Sequence, residues 1–253
     1  MIWKGYILSK QINLKGNYIK VIRQSTQETT YGGDQGFFKT NNSNSVDRKK
    51  NQLGCGVVAL TDTILYLLIQ TSVKANTPTG SYVNHGLISE ESLKIRNKLT
   101  QEEYMTYYNK VYDFVGGVSG KFGANGFQLA VGFNRLARKN GWKLRIRWGL
   151  SASKLYHRIE EMLQKDVPVI LCIPTMLRKK DKEKSITLFQ NEQKVATVNA
   201  HFVVITGIVT EHQETYLQIS SWGKKYFINW KEYEQLIHNV FLGTILGNIL
   251  YIK

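Results

Sequence analysis

The chain has 253 residues, 42% of them hydrophobic, with 21 glycines, three prolines and 34 Lys and Arg against 19 Asp and Glu, a formal charge of +15. That profile excludes a collagen, a coiled coil, a low-complexity disordered chain and a disulfide-stapled miniprotein. A chain of this length hides roughly 70–75% of its unfolded surface on folding, as one large domain or two small ones, and needs no metal or disulfide to hold a core.

The charge excess points to an anionic partner such as nucleic acid, a membrane surface, an anionic wall polymer or an acidic peptide, or to a basic proteome keeping its proteins soluble. The run Arg178 to Lys184 includes Asp181 and Glu183 and reads as a solvated loop. With dispersed lysines and no helix-turn-helix, zinc-ligand or RNA-recognition signature, specific nucleic-acid binding is not expected. Cys55 and Cys172 cannot make an all-thiolate tetrahedral zinc site, and nothing in their spacing asks for a disulfide, so neither metal nor cofactor is expected. Met1 to Tyr6 lacks the apolar core of a secretory signal. The stretch from Val57 to Ile69 is broken by Thr61, Asp62 and Thr63 and is too short to span a bilayer. A soluble cytoplasmic protein is the expectation.

Residues 1–30 alternate as one or two short edge strands, and residues 31–51, with Gly32-Gly33-Asp34 and Arg48-Lys49-Lys50-Asn51, read as an exposed loop. Apolar residues at 57, 60, 64, 67 and 68 follow helical spacing to about Gln70, which puts Cys55 in the first turn. Helical pattern continues from about 77 to 140, interrupted by glycines. Within it Gln101–Val115 carries a broad tyrosine face, and Phe127–Lys139 is ended by Asn140-Gly141. Trp142–Trp148 reads as a strand, Ser151 as the cap of a helix to about Gln164, and Val167–Ile173 as a buried strand. Strands at 195–198, 201–209, 215–220, 225–229 and 246–252, with a helix at about 231–238, complete the chain. Helices first and a mostly antiparallel sheet afterwards make an α+β pattern without internal repeats. The expected organisation is a single domain over 1–253. A helical lobe at about 51–165 carries the cysteine helix and packs against a sheet lobe at about 166–253, joined by the N-terminal strands.

A thiol between Gly54 and Gly56 at a helix start feels the positive end of the backbone dipole, which favours the thiolate, and its small neighbours leave room for a substrate. Cys172, inside an apolar strand, is assigned to the core. A thiol nucleophile needs a base, and of the five histidines His201 is best placed, at the mouth of the apolar strand His201-Phe202-Val203-Val204-Ile205. His157 and His238 fall on helices, and His85 and His212 in turns.

The order Gln52, Gly54-Cys55-Gly56, then His201-Phe202-Val203-Val204-Ile205-Thr206-Gly207, then Ser220-Ser221-Trp222-Gly223 resembles the papain-like cysteine peptidases. It is closest to the bacterial peptidases that trim double-glycine leaders and their relatives. The resemblance implies a papain-like fold, Cys55 as nucleophile, His201 as base, Gln52 as oxyanion-hole donor and Ser220 in the place of the residue that orients the histidine. Two positions depart from the family pattern. Ser220 stands where the family has Asn or Asp, and Gln52 is closer to the cysteine than usual, which makes Asn51 a rival donor and Asn199 a rival partner for His201. The expected activity is cleavage of a peptide or amide bond in a peptide or protein substrate through a thioester, without a cofactor. The alternatives are a thiol acyltransferase and a non-catalytic binding protein that docks its basic surface on an anionic partner.

Overall fold

The structure is a computed structural model that describes residues 10–39, 45–75, 98–118 and 123–253. The helical pattern expected between about 77 and 97, and His85 within it, lies outside the described residues.

In chain order the elements are β1 (Lys10–Asn13), β2 (Lys20–Ile22), β3 (Thr29–Tyr31), a 3-10 turn (Gln35–Phe38), α1 (Ser45–Leu53), α2 (Cys55–Ala75), β4 (Lys98–Thr100), α3 (Gln101–Val115), α4 (Gly126–Lys139), β5 (Ile146–Trp148), α5 (Ala152–Gln164) and β6 (Val169–Ile173). After them come β7 (Ile186–Gln190), β8 (Gln193–Val198), β9 (His201–Glu211), β10 (Glu214–Ser221), β11 (Lys224–Asn229), α6 (Trp230–Asn239), α7 (Gly243–Leu246) and β12 (Ile249–Ile252). The class is α+β. The main sheet runs β5-β12-β6-β9-β10-β11-β7-β8, with β1 also paired to β9, and all its pairings are antiparallel. A small second sheet, β3-β2-β4, contains one parallel pairing, β2 with β4.

Both faces of the main sheet are covered, which is why β6 and β9 read as nearly unbroken apolar runs and not as alternating ones. Ile170, Phe202, Val204 and Leu250 face a core built with α2, α3 and α4, while Val169, Leu171, Val203 and Ile205 face a second core with α5 and α6. Each fully buried Leu, Ile or Val contributes about 1.5–3 kcal/mol. α2 is the central helix of the first layer, with Val57, Leu60, Ile64 and Leu65 buried. α5 lies on the opposite face of the sheet from α2, packed on β6, β9 and β12. No single helix among the described residues is long and apolar enough to cross a membrane.

Several local expectations are corrected. The described residues of the 31–51 segment do not form an exposed loop: Gly32, Gly33, Asp34, Phe37 and Phe38 are buried, and residues from Ser45 onward belong to α1. Asp34 makes this possible by accepting the Gly36 N–H at 2.7 Å and pairing with Arg23. The strand expected at 142–148 begins only at Ile146, because the Trp142 N–H turns back to the Ala137 carbonyl at the end of α4. Ser151 occupies the cap position of α5 but its side chain makes no capping bond. β8 has a hairpin partner, β7, in a segment for which the sequence reading gave no element, and α7 takes the first residue of the strand expected at 246–252.

Candidate active site

Cys55 is the first residue of α2, and α1 meets α2 at 75° across Gly54. A Cβ on Gly54 would sit 2.2 Å from the Lys50 carbonyl oxygen, a backbone atom that cannot move aside, so the sharp turn that presents the thiol needs glycine there. Cys55 is partly buried. Desolvation pushes its thiol pKa up, while the backbone N–H groups of Phe202, Gly56 and Cys55 itself pull the other way. The helix start does favour the thiolate, as its sequence position suggests, but desolvation outweighs it. Cys172 is partly buried against the same core, and desolvation raises its thiol as well.

His201 opens β9, across from Ile173 on β6. It is 6% exposed, and burial pushes its pKa down to about 4. Its Nε2 is 2.7 Å from the Ser221 hydroxyl, and its ring stacks on Trp222 with centroids 4.5 Å apart and planes 29° from parallel. Trp222 and Gly223 form the two-residue turn between β10 and β11, with φ of 49° and 71°. A tryptophan in the left-handed region is strained, and here the stacking on His201 and the bond from the Gly223 N–H to the Gly33 carbonyl at 3.0 Å hold it.

The ring's hydrogen bond therefore goes to Ser221 and not to Ser220, which corrects the sequence-based assignment. Ser220 donates to the Tyr31 carbonyl at 2.8 Å. The reason is a β-bulge between Gln218 and Ile219, where β9 spends one extra residue, Thr206. Without it, alternation from Gln218 opposite Gly207 would bring Ser220 opposite Ile205, on the parity of His201. With it, Ser220 falls opposite Val204 and the next serine takes the parity of His201. Thr206 is held by Gln218 Nε2 at 2.9 Å and by the Tyr31 hydroxyl at 3.0 Å.

Gln52 is exposed on α1 and Asn199 is exposed between β8 and β9, and neither lines the cleft with Cys55; nor does Asn51. The cleft is instead lined by Cys55, His201, Ser220, Ser221, Trp222, Gln35 and Asp62. It holds about 10 Å³ of open space, scarcely one water molecule. Gln35 begins the 3-10 turn, and its side-chain oxygen is buried without a hydrogen-bond partner. Asp62 lies two turns into α2 from Cys55, 1% exposed, and its carboxylate accepts the Gly33 N–H at 3.0 Å, the Tyr104 hydroxyl at 2.8 Å and the Tyr18 hydroxyl at 3.1 Å. Burial raises this carboxyl to about 6, against those three bonds. Asp62 thereby ties the Gly33 backbone, two residues before Gln35, to the cysteine helix. A Cβ at Gly33 would fall 1.9 Å from the Tyr104 oxygen, so the approach demands glycine.

Sequence reasoning missed three residues of this cleft. Asp62 was visible only as an acid interrupting an apolar helix. Gln35 had no signal beyond a glutamine after a glycine pair, and Ser221 was masked by its twin. Among the described residues no group of His, Cys, Asp and Glu is arranged to hold a metal ion.

No family model matches the chain, and no curated protein matches it. Among solved structures, a Bacillus anthracis protein described as a "putative C39-like peptidase" aligns at 14% identity over 80% of this chain and 90% of its own, with a TM-score of 0.36.

Proposed function

We propose that the protein is a thiol hydrolase of the papain-like cysteine-peptidase kind, cleaving a peptide or amide bond through a thioester on Cys55. The observation that carries this reading is the shared cleft: a thiol at a helix start and an imidazole clamped between Ser221 and Trp222 line it together. Nε2 is engaged by Ser221, so Nδ1 is the nitrogen left to exchange a proton with the thiol. With the thiol raised and the imidazole lowered, the resting pair is neutral at pH 7, and the proton moves as attack occurs. The Cys55 sulfur bonds to the carbonyl carbon while His201 takes its proton. The oxyanion collapses, the C–N bond breaks and the amine leaves with the proton from His201. Water then attacks the thioester with His201 as base, and the acid product leaves with the thiol restored.

The oxyanion falls to the backbone N–H of Cys55 and the side chain of Gln35, in place of Gln52. No hydrogen bond holds the Gln35 carbonyl end, so its amide is free to turn its NH₂ toward the charge. The narrow cleft favours a second reading, a binding protein on the same framework with a resting thiol, and one experiment separates them. A mixture of unmodified peptides is incubated with the protein and cleavage read by mass spectrometry. Cys55→Ala and His201→Ala should abolish cleavage, Gln35→Ala should lower kcat by about 10²–10³ with KM little changed, and Gln52→Ala should behave as wild type. Cleavage that survives Cys55→Ala removes the hydrolase reading, and a folded wild type that cleaves nothing and resists iodoacetamide at Cys55 favours the binder.

A further inference from the structure

At the far end of β9 from His201 the chain does something its composition does not prepare for. In a protein of charge +15, three glutamates, Glu192, Glu211 and Glu214, line one pocket of about 330 Å³. Glu211 and Glu214 are direct partners across the β9–β10 ladder, so their side chains share a face. Like charges placed directly opposite destabilise a hairpin. Glu214 accepts a hydrogen bond from Asn229 Nδ2 at 2.8 Å. Glu211 is only 4% exposed, and its Oε1 has no hydrogen-bond partner. Buried polar atoms are nearly always hydrogen-bonded, and a chain this rich in lysine has the means to pair a carboxylate. Yet no ion pair among the described residues engages Glu192, Glu211 or Glu214.

The rest of the lining is His212, from the turn between β9 and β10, and three aromatic side chains. Phe189 and Tyr216 meet edge to face at 6.2 Å and 85°, and Phe227 pairs with Phe189 across β11 and β7 on the same side. Carboxylates and aromatic rings lining one pocket suit a cation with an apolar body, whose charge meets the acids while its stem packs on the rings. A bare divalent ion fits less well, because these groups are not arranged as metal ligands. The ten residue steps from His201 to Glu211 span about 30 Å along an extended strand, so a ligand here is separate from the Cys55 cleft.

We infer that this pocket binds an organic cation, a protonated amine or guanidinium on an apolar stem, with Glu211 and Glu214 neutralising the charge and Phe189, Tyr216 and Phe227 enclosing the stem. The group arrives either on a small free amine or on a lysine or arginine side chain of a polypeptide. Calorimetric titration at low ionic strength with agmatine, with a blocked Gly-Gly-Lys-Gly-Gly peptide and with calcium chloride tests this and tells the sources apart. Wild type should bind agmatine or the peptide, and Glu211→Gln should weaken binding by at least about tenfold, the loss of one charge-assisted partner. Glu183→Gln, at an exposed acid elsewhere, should change nothing. Tighter binding of agmatine assigns the site to free amines, and tighter binding of the peptide assigns it to a side chain. Without ligand, Glu211→Gln should unfold at the same temperature as wild type or higher, since it relieves the repulsion, whereas a carboxylate kept for structure would lower it. The inference is overturned by wild type giving no heat with either organic probe at millimolar concentration, by binding that Glu211→Gln leaves intact, by a lowered unfolding temperature in that variant, or by calcium alone binding.

Discussion

Ser220 and Ser221 are neighbours with the same hydroxyl, and the bulge beside them sends one to a backbone carbonyl and the other to an imidazole. Their substitutions should therefore separate stability from turnover. Ser221→Ala takes away the group that holds the His201 ring at Nε2, and a net hydrogen bond of about 1.4 kcal/mol felt in the transition state is about tenfold in kcat. The ring stays stacked on Trp222 in that variant, so the fold should hold. Ser220→Ala instead leaves the Tyr31 carbonyl without its donor, which should cost about 1 kcal/mol in unfolding free energy with kcat unchanged. Kinetics and urea titrations of the two variants are the check, and the reverse pattern would return the orienting role to Ser220. A serine also carries no charge, so it steadies an imidazolium less than a carboxylate would. That fits a site whose histidine is held neutral by burial, with its pKa at about 4.

At the scale of elements, the geometry of the thiol depends on the junction of α1 and α2. Gly54→Ala drives a Cβ into the Lys50 carbonyl, and overpacking against backbone of this kind costs about 1–3 kcal/mol. The expected outcome is a lower unfolding midpoint together with loss of peptide cleavage, because relief of the clash must swing α1 or displace Cys55. A Gly54→Ala protein with wild-type activity would show that the turn does not position the thiol. What could be read from the sequence divides along the same line. Regular periodicity placed α3, α4, α5 and the strands β6, β9, β10 and β11 close to their observed bounds, and α2 at its start but short of its end at Ala75, since each buries a face or both faces in step with its own repeat. The ends of these elements carried Cys55 and His201. Gln35 was illegible because its segment is buried by tertiary contacts, an Asp34 cap and two glycines under Asp62 and Tyr104, and not by any local pattern. Ser221 was illegible because alternation counts through a bulge that only the pairing of β9 with β10 reveals. The Glu211–Glu214 pocket escaped notice because each acid looks solvated in a polar turn, and only the register places them face to face.

Across the whole molecule, two buried groups in one cleft set opposite pH responses. His201 has its pKa lowered from 6.5 to about 4, so it contributes stability that is present above pH 6.5 and lost as pH falls toward 4. Asp62 has its pKa raised from 3.8 to about 6, so its contribution is present below pH 3.8 and lost as pH rises through 6. Each shift corresponds to about 3 kcal/mol over its window, and the windows overlap between pH 4 and 6 with opposite slopes. Wild-type stability should therefore be nearly flat there as far as these two groups set it. Asp62→Asn exposes the histidine, and its stability relative to wild type should fall as pH is lowered from 6 to 4. His201→Ala exposes the carboxyl, and its relative stability should fall as pH is raised from 4 to 6. Each substitution also shifts its whole curve, through an unmatched amide in one case and a cavity in the other, but neither offset depends on pH. The self-repulsion of a chain at +15 grows in acid in every variant alike and cancels in the comparison. Urea unfolding of both variants and of the double variant across pH 4–6 decides the matter. The double variant should recover the flat profile, whereas single variants running parallel to wild type would mean that neither group titrates inside the fold as its burial requires.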